Sequence, residues 1–160
     1  MTKMLIIDMD KCNGCKACEL VCCLYQEKRV QPSKSRIHVL RWPERGAEVP
    51  MMCQQCEIAM CQKACPVDAI RRDEYGAMLV DPNKCIGCKL CVFACPFGGS
   101  IWDFDGRKIM KCDLCKGTPQ CARFCPTEAI QYVEPTRAMI WKKRASAAKM
   151  AELAKLIYGT

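Results

Sequence analysis

The chain has 160 residues, 17 cysteines and a formal net charge of +8 at pH 7. A disulfide scaffold is disfavoured because the cysteine count is odd and the cysteines stand in tight runs. The first ten residues, MTKMLIIDMD, do not predict a secretory signal, since their short apolar stretch stops at Asp8. No apolar stretch approaches the roughly 20 residues that cross a bilayer, so no membrane span is predicted.

The basic charge is not taken as a sign of nucleic-acid binding, because the formal count treats every cysteine as neutral. If sixteen thiolates hold four [4Fe–4S] cores, each ligated cluster carries about −2 in its oxidised form, or roughly −8 together. We interpret the excess of lysine and arginine as compensation for anionic clusters and expect no nucleic-acid partner.

Sixteen of the cysteines fall into four runs whose short gaps are typical of [4Fe–4S] ligands. Run one is Cys12, Cys15, Cys18 and Cys22; run two is Cys53, Cys56, Cys61 and Cys65; run three is Cys85, Cys88, Cys91 and Cys95; run four is Cys112, Cys115, Cys121 and Cys125. A zinc site would need two CxxC pairs without a third close cysteine, and a radical S-adenosylmethionine site would need CxxxCxxC. Iron–sulfur clusters are therefore the better interpretation.

The flanks of the runs repeat in pairs. Run one contains DMDKCNGCKAC and run three DPNKCIGCKLC, whereas runs two and four end in CPVDAI and CPTEAI. Three closely spaced thiolates suit one cubane, and the fourth reaches a neighbouring cubane, so the runs must pair. The segment RRDEYGAMLVDPNK, between runs two and three, predicts a hairpin with its turn near Tyr75 and Gly76.

The remaining segments give three further predictions. Residues 36–42, RIHVLRW, predict a strand that ends at PERG, with the only histidine, His38, on one strand face. SIWDFDGRKIMK predicts a second hairpin, closed by a two-residue turn at Asp105 and Gly106. After Pro135, an alanine- and lysine-rich stretch predicts a helix of about 20 residues. It is open whether its apolar side packs on the core or docks a partner subunit; that side contains Ile140, Trp141, Ala145, Ala148 and Leu156.

Several residues next to the ligands are predicted to contribute to cofactor binding. Gly14 and Gly87 stand between the first two ligands of their runs, where a missing side chain lets backbone amides approach the sulfurs. Six lysines adjoin ligands: Lys11, Lys16, Lys84, Lys89, Lys111 and Lys116. The alternatives for them are solvated surface or tuning of a cluster, and we predict tuning for Lys89. Runs two, three and four are followed by Pro66, Pro96 and Pro126, also predicted at the clusters; run one is followed by Cys23, predicted to be an apolar filler.

Residues 53–101 resemble a complete bacterial two-cluster ferredoxin. The resemblance and the paired flanks predict an α+β fold of two ferredoxin-like modules, one inserted within the other. The predicted ligands are Cys12, Cys15, Cys18 and Cys125 for cluster 1; Cys112, Cys115, Cys121 and Cys22 for cluster 2; Cys53, Cys56, Cys61 and Cys95 for cluster 3; and Cys85, Cys88, Cys91 and Cys65 for cluster 4. The predicted ranges are 1–30 with 105–135 for the outer module, 50–104 for the inner module, 31–49 for a connecting segment and 136–160 for the C-terminal helix.

Over residues 8–130 the nested order resembles the four-cluster electron-transfer subunits of molybdopterin and tungstopterin enzymes, hydrogenases and carbon monoxide dehydrogenases. VPMMCQQCE, CIGCKLCVFACPFG and KCDLC are most similar to the small iron–sulfur subunit of tungsten aldehyde oxidoreductases, followed by that of tungsten benzoyl-CoA reductases. The resemblance implies a non-catalytic subunit that passes single electrons between a large pterin-containing catalytic subunit and an external acceptor. A flavin- or NAD-binding subunit or a ferredoxin is a further expected partner.

Other functions remain open at this point. The chain would also suit a free polyferredoxin, the equivalent subunit of a formate dehydrogenase, hydrogenase or carbon monoxide dehydrogenase, or a redox sensor. No nucleotide-binding Gly-rich loop or metalloprotease motif indicates catalysis by the chain itself. The resemblance, without long insertions or anchors, implies the cytoplasm. Two exposed terminal clusters would also permit head-to-tail stacking of copies, because a heterologous contact that does not close makes a filament.

Overall fold

The computed structural model describes residues 3–158, except for the side chains of Arg45, Trp141, Ala145, Leu153, Ala154, Leu156, Ile157 and Tyr158. The strands are β1 Met4–Ile7, β2 Ile37–Trp42, β3 Ala47–Met52, β4 Ile70–Arg72, β5 Met78–Val80, β6 Ser100–Asp103, β7 Lys108–Lys111 and β8 Ile130–Val133. The helices are α1 Ala17–Glu27, α2 Met60–Lys63, α3 Leu90–Phe93, α4 Gln120–Arg123 and α5 Pro135–Tyr158. Single 3-10 turns cover Met9–Lys11, Pro32–Lys34 and Pro43–Arg45.

The strands form two-stranded antiparallel ladders, namely β1–β8, β2–β3, β4–β5 and β6–β7. β1–β8 joins the two ends of the cysteine-rich region, with Met4 opposite Val133 and Ile7 opposite Ile130. β4–β5 is the hairpin predicted between runs two and three, with its turn at residues 73–77. The combination of antiparallel ladders and helices confirms the predicted α+β class.

Two ladders repeat one hydrogen bond next to the ligand runs. The backbone N–H of Asp8, before run one, donates to the carbonyl of Ala129, after run four, at 2.7 Å. The N–H of Asp81, before run three, donates to the carbonyl of Ala69, after run two, also at 2.7 Å. The shared lead-ins and tails of the sequence therefore meet in the same way in both ladders.

The hairpin β6–β7 forms as predicted, but its turn is longer. Asp103 pairs with Lys108, so residues 104–107 make a four-residue loop and the predicted two-residue turn at Asp105 and Gly106 is wrong. The Asp103 carboxylate accepts the N–H of Asp105 at 3.0 Å. This side-chain contact starts the turn at Asp103, before the Asp-Gly pair is reached. Arg107 completes the loop in the left-handed region, with φ of +47°.

The connecting segment contains the predicted strand, now β2, and a second strand, β3, that was not predicted. Pro50 lies within β3, opposite Val39, and proline ordinarily argues against a strand. It is tolerated here because a two-stranded ladder leaves an outer edge on which no N–H is needed. Ile37, Val39 and Met52 from this ladder are buried.

The predicted C-terminal helix is confirmed as α5, which begins at Pro135, a favoured first helical residue. Ala138 is buried, whereas Met139, Ile140 and Met150 are exposed. Of the predicted apolar side, Ile140 and Ala148 are therefore exposed, and the side chains of Trp141, Ala145 and Leu156 lie outside the described residues. Within residues 3–158, every helix is too short or too polar to span a bilayer.

Cysteines form part of the hydrophobic cores. One core combines Ile37, Val39, Met52 and Ile130 with Cys18, Cys22 and Cys121. The other combines Ala59, Ile70, Met78 and Ile109 with Cys61 and Cys91. The small ladders therefore pack on the thiols themselves, which makes the cysteine runs the structural centre of the molecule.

Candidate metal centres

Runs one and three present their first three cysteines with nearly the same backbone. Gly14 and Gly87 both have φ of +71°, a left-handed conformation that favours glycine. Lys16 and Lys89, between the second and third cysteines, are also left-handed, with φ of 59° and 64°. The shared pattern CxGCKxC therefore specifies one local fold in two places.

One cavity collects the four cysteines predicted for cluster 2. Its wall is formed by Cys22 on α1 and by Cys112, Cys115 and Cys121 around the start of α4. Arg36, Ile37, Met52 and Leu114 complete much of the wall. The cysteine of run one thus stands with three cysteines about 90 residues later in the chain, as the crossed wiring requires.

A second cavity collects the four cysteines predicted for cluster 3. Cys53, Cys56 and Cys61 line it together with Cys95, the last cysteine of run three. Pro96, one of the three predicted prolines, is on the same wall. Pro66 and Pro126 are exposed, directly after Cys65 and Cys125.

The cysteines predicted for clusters 1 and 4 lie closer to the surface. Cys12 and Cys125 pack on the core that contains Cys18, and Cys65 and Cys85 pack on the core that contains Cys91. In each set the middle cysteine of the loop is exposed, Cys15 in run one and Cys88 in run three. All other cysteines are buried or partly buried.

The grouped thiols disfavour one another's ionised form. Burial raises the pKa of Cys112 to about 12, and the thiolates of Cys53 and Cys22 add to the shift. Burial also raises the pKa of Cys121, further increased by Cys112, Cys22 and Cys115. Burial raises the pKa of Cys18 to about 12, with contributions from Glu19, Cys12 and Cys15. Such a set is suited to thiolates that are ionised by bound iron, which supplies the missing positive charge.

Arg36 adds an independent observation that the cluster 2 cavity fits an electron-rich group. Its guanidinium donates to the Lys34 carbonyl at 2.5 Å and pairs with Glu27 at 2.8 Å. Its Nε is buried without a hydrogen-bond partner. An unpaired buried donor costs about 1–3 kcal/mol. Arg36 lines the four-cysteine cavity, so an electron-rich group held there would lie next to a side chain with one unpaired donor.

The four fourth-position thiols receive backbone N–H groups from different sources. Ala69 donates to Cys65 Sγ and Gly99 to Cys95 Sγ, both at 3.2 Å and both four residues downstream. Burial opposes ionisation of Cys125, but the backbone of Ile130, the Thr127 hydroxyl 3.7 Å from Sγ, and the backbone of Thr127 and Ala129 outweigh it and lower the pKa of Cys125. Cys22 accepts instead from the N–H of Arg36, at 3.3 Å, in the connecting segment.

Other predicted site residues have specific positions. Lys89 Nζ lies 4.4 Å from the centroid of the Trp102 ring, in a cation–π contact. Cys23 is fully buried and its Sγ donates to the Leu20 carbonyl at 3.1 Å. That contact within α1 agrees with a filler role and leaves Cys23 out of the four groups of thiols.

Three residues at the site were not singled out by sequence reasoning. Arg36 was not identified, and Lys111 was named only as one of six lysines next to ligands, because their contacts with these thiols arise only from tertiary packing. Gly99 was also missed; a Cβ there would lie 2.5 Å from Cys53 Cα. The double glycine in CPFGGS was the available signal, because the tails CPVDAI and CPTEAI carry alanine at that position.

The geometry differs from a single-ion site. Tetrahedral zinc holds four sulfurs at about 2.3 Å from one point. Within residues 3–158, no three His, Cys, Asp or Glu side chains converge on such a point. Thiols at the corners of a cubane stand further apart, around a cavity, as the four-cysteine walls do.

The chain matches two 4Fe-4S family models and is similar to electron-transfer proteins. The 4Fe-4S dicluster domain family matches residues 46–135, and the 4Fe-4S binding domain family matches residues 9–26. The polyferredoxin-like subunit of aliphatic sulfonate oxidoreductase from Pyrococcus furiosus is 36% identical, over 97% of this chain and 92% of that protein. Electron transport protein HydN of Escherichia coli (strain K12) is 35% identical, over 84% and 89%. The thiosulfate reductase electron transfer subunit PhsB of Salmonella typhi is 35% identical, over 81% and 74%.

A solved structure gives a weaker likeness. In the active-site complex BamBC of benzoyl coenzyme A reductase with 1,5-dienoyl-CoA, one chain is 27% identical to this chain. The superposition covers 82% of this chain and 75% of that chain, with a TM-score of 0.49.

Proposed function

The chain belongs to the family of 4Fe–4S ferredoxin-like electron-transfer subunits of oxidoreductase complexes, and from this premise we propose that it carries four clusters which relay single electrons to or from a catalytic subunit. It binds more than one [4Fe–4S] cluster. A bound cluster supplies a centre that gains or loses one electron without making or breaking a bond to the protein. The four proposed ligand sets are those given above for clusters 1 to 4.

The order of the thiols is the observation that carries the proposal. Thiols of successive sets lie close together. Cys18 and Cys121 share one hydrophobic core, and Cys61 and Cys91 share the other. Cys112 lies near enough to Cys53 for the thiolate of Cys53 to raise its pKa. These pairs link cluster 1 to 2, 2 to 3 and 3 to 4. The exposed cysteines, Cys15 and Cys88, belong to the two ends of that series. A series with buried middle members and exposed ends suits electron entry at one end and exit at the other.

Two strand ladders support the proposed division of the chain. Residues 1–30 and 105–135 form the outer module, which β1–β8 closes, and residues 50–104 form the inner module, which contains β4–β5. Residues 31–49 connect the two, and the proposed C-terminal range 136–160 corresponds, in the described part of the chain, to α5, Pro135–Tyr158. Residues 1, 2, 159 and 160 lie outside the described part of the structure.

For the partner, we propose a large tungsten- or molybdenum-pterin subunit of the aldehyde oxidoreductase type. The likeness of VPMMCQQCE, CIGCKLCVFACPFG and KCDLC to such subunits supports this choice. Relatives whose names identify them as subunits of a sulfonate oxidoreductase and a thiosulfate reductase support a role within a complex. A flavin- or NAD-binding subunit or a ferredoxin would be the external acceptor. Head-to-tail stacking of copies stays a prediction.

Anaerobic purification from the native host tests this function. We expect a large subunit with stoichiometric tungsten or molybdenum and pterin, identified by mass spectrometry and metal analysis, and about 16 irons on this chain. Reduction of the complex by the substrate of the catalytic subunit should produce the electron paramagnetic resonance (EPR) signals of reduced [4Fe–4S] clusters. A monodisperse 18.1 kDa protein without a partner would instead indicate a free polyferredoxin. DNA binding that changes on oxidation would indicate a redox sensor.

A further inference from the structure

One lysine beside the ligand runs differs from the other five. Lys111 is buried, with 7% of its surface exposed. Lys11, Lys16, Lys84 and Lys116 are exposed, and Lys89 contacts Trp102. Lys11, Lys84 and Lys111 each precede the first cysteine of a run, so the sequence gives no reason to distinguish Lys111.

The Lys111 side chain points away from its own run. Its Nζ lies 3.6 Å from Cys53 Sγ and 3.6 Å from Cys61 Sγ, two proposed ligands of cluster 3. The residue that follows it, Cys112, is a proposed ligand of cluster 2. Lys111 therefore stands at the junction between the two central clusters, with its charge on the side of cluster 3.

Ser100 fixes this orientation. Ser100 and Lys111 are opposite each other in the β6–β7 ladder, so their side chains are on the same face. Lys111 Nζ donates to Ser100 Oγ at 3.1 Å, and Ser100 is 2% exposed. The hairpin thus holds the ammonium against the two thiols.

Among the described side chains, no carboxylate forms an ion pair with Lys111. Among the side chains that the structure describes, the lysines that pair with carboxylates are Lys34 and Lys149. A buried ammonium without an anionic partner is unfavourable. The negative charge that balances Lys111 must come from the thiolates and the cluster that they hold.

We propose that Lys111 donates N–H···S hydrogen bonds to the Cys53 and Cys61 sulfurs and raises the reduction potential of cluster 3 relative to the other clusters. This inference rests on the proposed four-cluster function, in which Lys111 supplies a fixed positive charge next to two ligands of cluster 3. Lys111 acts through the two ligands.

The direction of the effect follows from charge. One-electron reduction adds a negative charge to the cluster, and no bond to the protein forms or breaks. A fixed positive charge and hydrogen bonds to the ligand sulfurs stabilise the more negative, reduced form more than the oxidised form. Cluster 3 therefore retains an electron at potentials where an otherwise equal cluster without such a cation is oxidised.

The test is an EPR-monitored potentiometric titration of the anaerobically purified complex carrying Lys111→Met. Methionine keeps much of the side-chain volume without the charge. We expect one of the four redox components to become at least tenfold less reduced at its wild-type midpoint, a fall of about 59 mV for a one-electron couple. The other three should not move. Lys111→Arg, which keeps the charge, should restore most of the potential.

Two further variants make the result specific. Lys84→Met removes the lysine at the same position of run three, which is exposed, and should leave all four components unchanged. Cys56→Ser, at another proposed ligand of cluster 3, should alter the EPR signal of the component that moves in Lys111→Met. Equal shifts in Lys84→Met and Lys111→Met would contradict the proposal.

Ser100→Ala provides a second test of the inference in case Lys111→Met loses iron. This variant retains the lysine and removes the hydroxyl that orients it, so it should keep about 16 irons and shift the same component in the same direction by less. If Lys111→Met keeps its full iron content, unchanged potentials in that variant would overturn the role of Lys111. If Lys111→Met lacks a cluster, unchanged potentials in Ser100→Ala would overturn it. A wild-type protein without four clusters would instead contradict the proposed function.

Discussion

The fourth cysteine of run one and the fourth cysteines of the other runs have the same spacing but different surroundings. Cys65, Cys95 and Cys125 are each followed by proline, and the helices before them, α2, α3 and α4, are four residues long. Cys22 is followed by Cys23, and α1 continues for 11 residues to Glu27. Proline disfavours the helical conformation of the residue before it, so the three short helices end ahead of the ligand.

This difference determines where the fourth thiol finds its hydrogen-bond donors. After Cys65 and Cys95 the chain turns, and the N–H four residues later reaches the sulfur. After Cys22 the N–H groups are used within α1, so the donor comes from Arg36, 14 residues away. The connecting segment thus replaces the Cys-Pro turn. The fourth thiol of the proposed cluster 2 therefore takes its backbone donor from the connecting segment, whereas Cys65 and Cys95 take theirs from the turns that follow them.

The largest expected effect is the loss of iron when Cys22, but not the adjacent Cys23, is replaced by alanine. Cys22→Ala removes a proposed ligand of cluster 2 and should lower the iron content from about 16 to about 12 per chain. Cys23→Ala should keep about 16, because Cys23 Sγ contacts the Leu20 carbonyl. Iron analysis of anaerobically purified protein measures both. Equal iron in the two variants would show that Cys22 is not a ligand.

Introducing into run one the proline that follows the fourth cysteine of the other runs should cause the next largest loss, a loss of stability. In Cys23→Pro the ring removes an intrahelical N–H and clashes with the preceding turn, which costs about 3 kcal/mol or more in a helix interior. Because Cys23 is fully buried within α1, the proline ring would have no solvent-facing space to occupy. Denaturant unfolding of the holoprotein followed by circular dichroism, with Cys23→Ala as the control, should show the loss. Similar midpoints for the two variants would mean that the length of α1 is immaterial.

The sequence was sufficient where structure depends on neighbouring residues. The CxGCKxC loops, the hairpin β4–β5, the strand β2 and the helix α5 follow from local spacing, turn residues and composition, and all were predicted. The ladder β1–β8 joins the segments whose shared lead-ins and tails had indicated pairing.

The sequence was insufficient where a contact depends on tertiary packing. The strand β3 was missed because Pro50 breaks the strand pattern, although the free edge of the ladder accepts it. The turn of β6–β7 was wrong because the Asp103 carboxylate, which also pairs with Lys34, organises a longer loop. Lys84 and Lys111 occupy equivalent positions in their runs, and only the fold buries one of them.

The tail after Cys95 gives a third, intermediate effect. Alanine occupies the position four residues after the last cysteine in runs two and four, but Gly99 occupies it in run three. A Cβ at Gly99 would lie 2.5 Å from Cys53 Cα and 2.9 Å from Cys53 N. Because backbone must move, Gly99→Ala should cost about 1–3 kcal/mol, typical of overpacking. It should also disturb the proposed cluster 3, measured by unfolding and by EPR. Wild-type stability and spectra would contradict the close approach.

The smallest expected effect is a difference in stability between two glycine variants, one in the run-one loop and one in the run-three loop that precede the fourth cysteines. Gly14→Ala and Gly87→Ala both place a side chain at φ of +71°, which costs about 1–2 kcal/mol in each loop. A Cβ at Gly87 would meet Trp102 at an ordinary 3.5 Å, whereas one at Gly14 would lie 2.6 Å from Glu48 Cδ. Glu48 belongs to the connecting segment and pairs with Arg41 at 3.0 Å, so it must give up that position.

Gly14→Ala should therefore be the more destabilising of the two glycine variants, measured by denaturant unfolding of the holoprotein. In a Glu48→Ala background the space above Gly14 is open, and the two costs should become equal, since only the backbone strain then remains. A difference that persists without Glu48 would mean that the connecting segment does not restrict run one. Equality in the wild-type background would give the same conclusion, and the segment would then act on the proposed clusters through Cys22 alone.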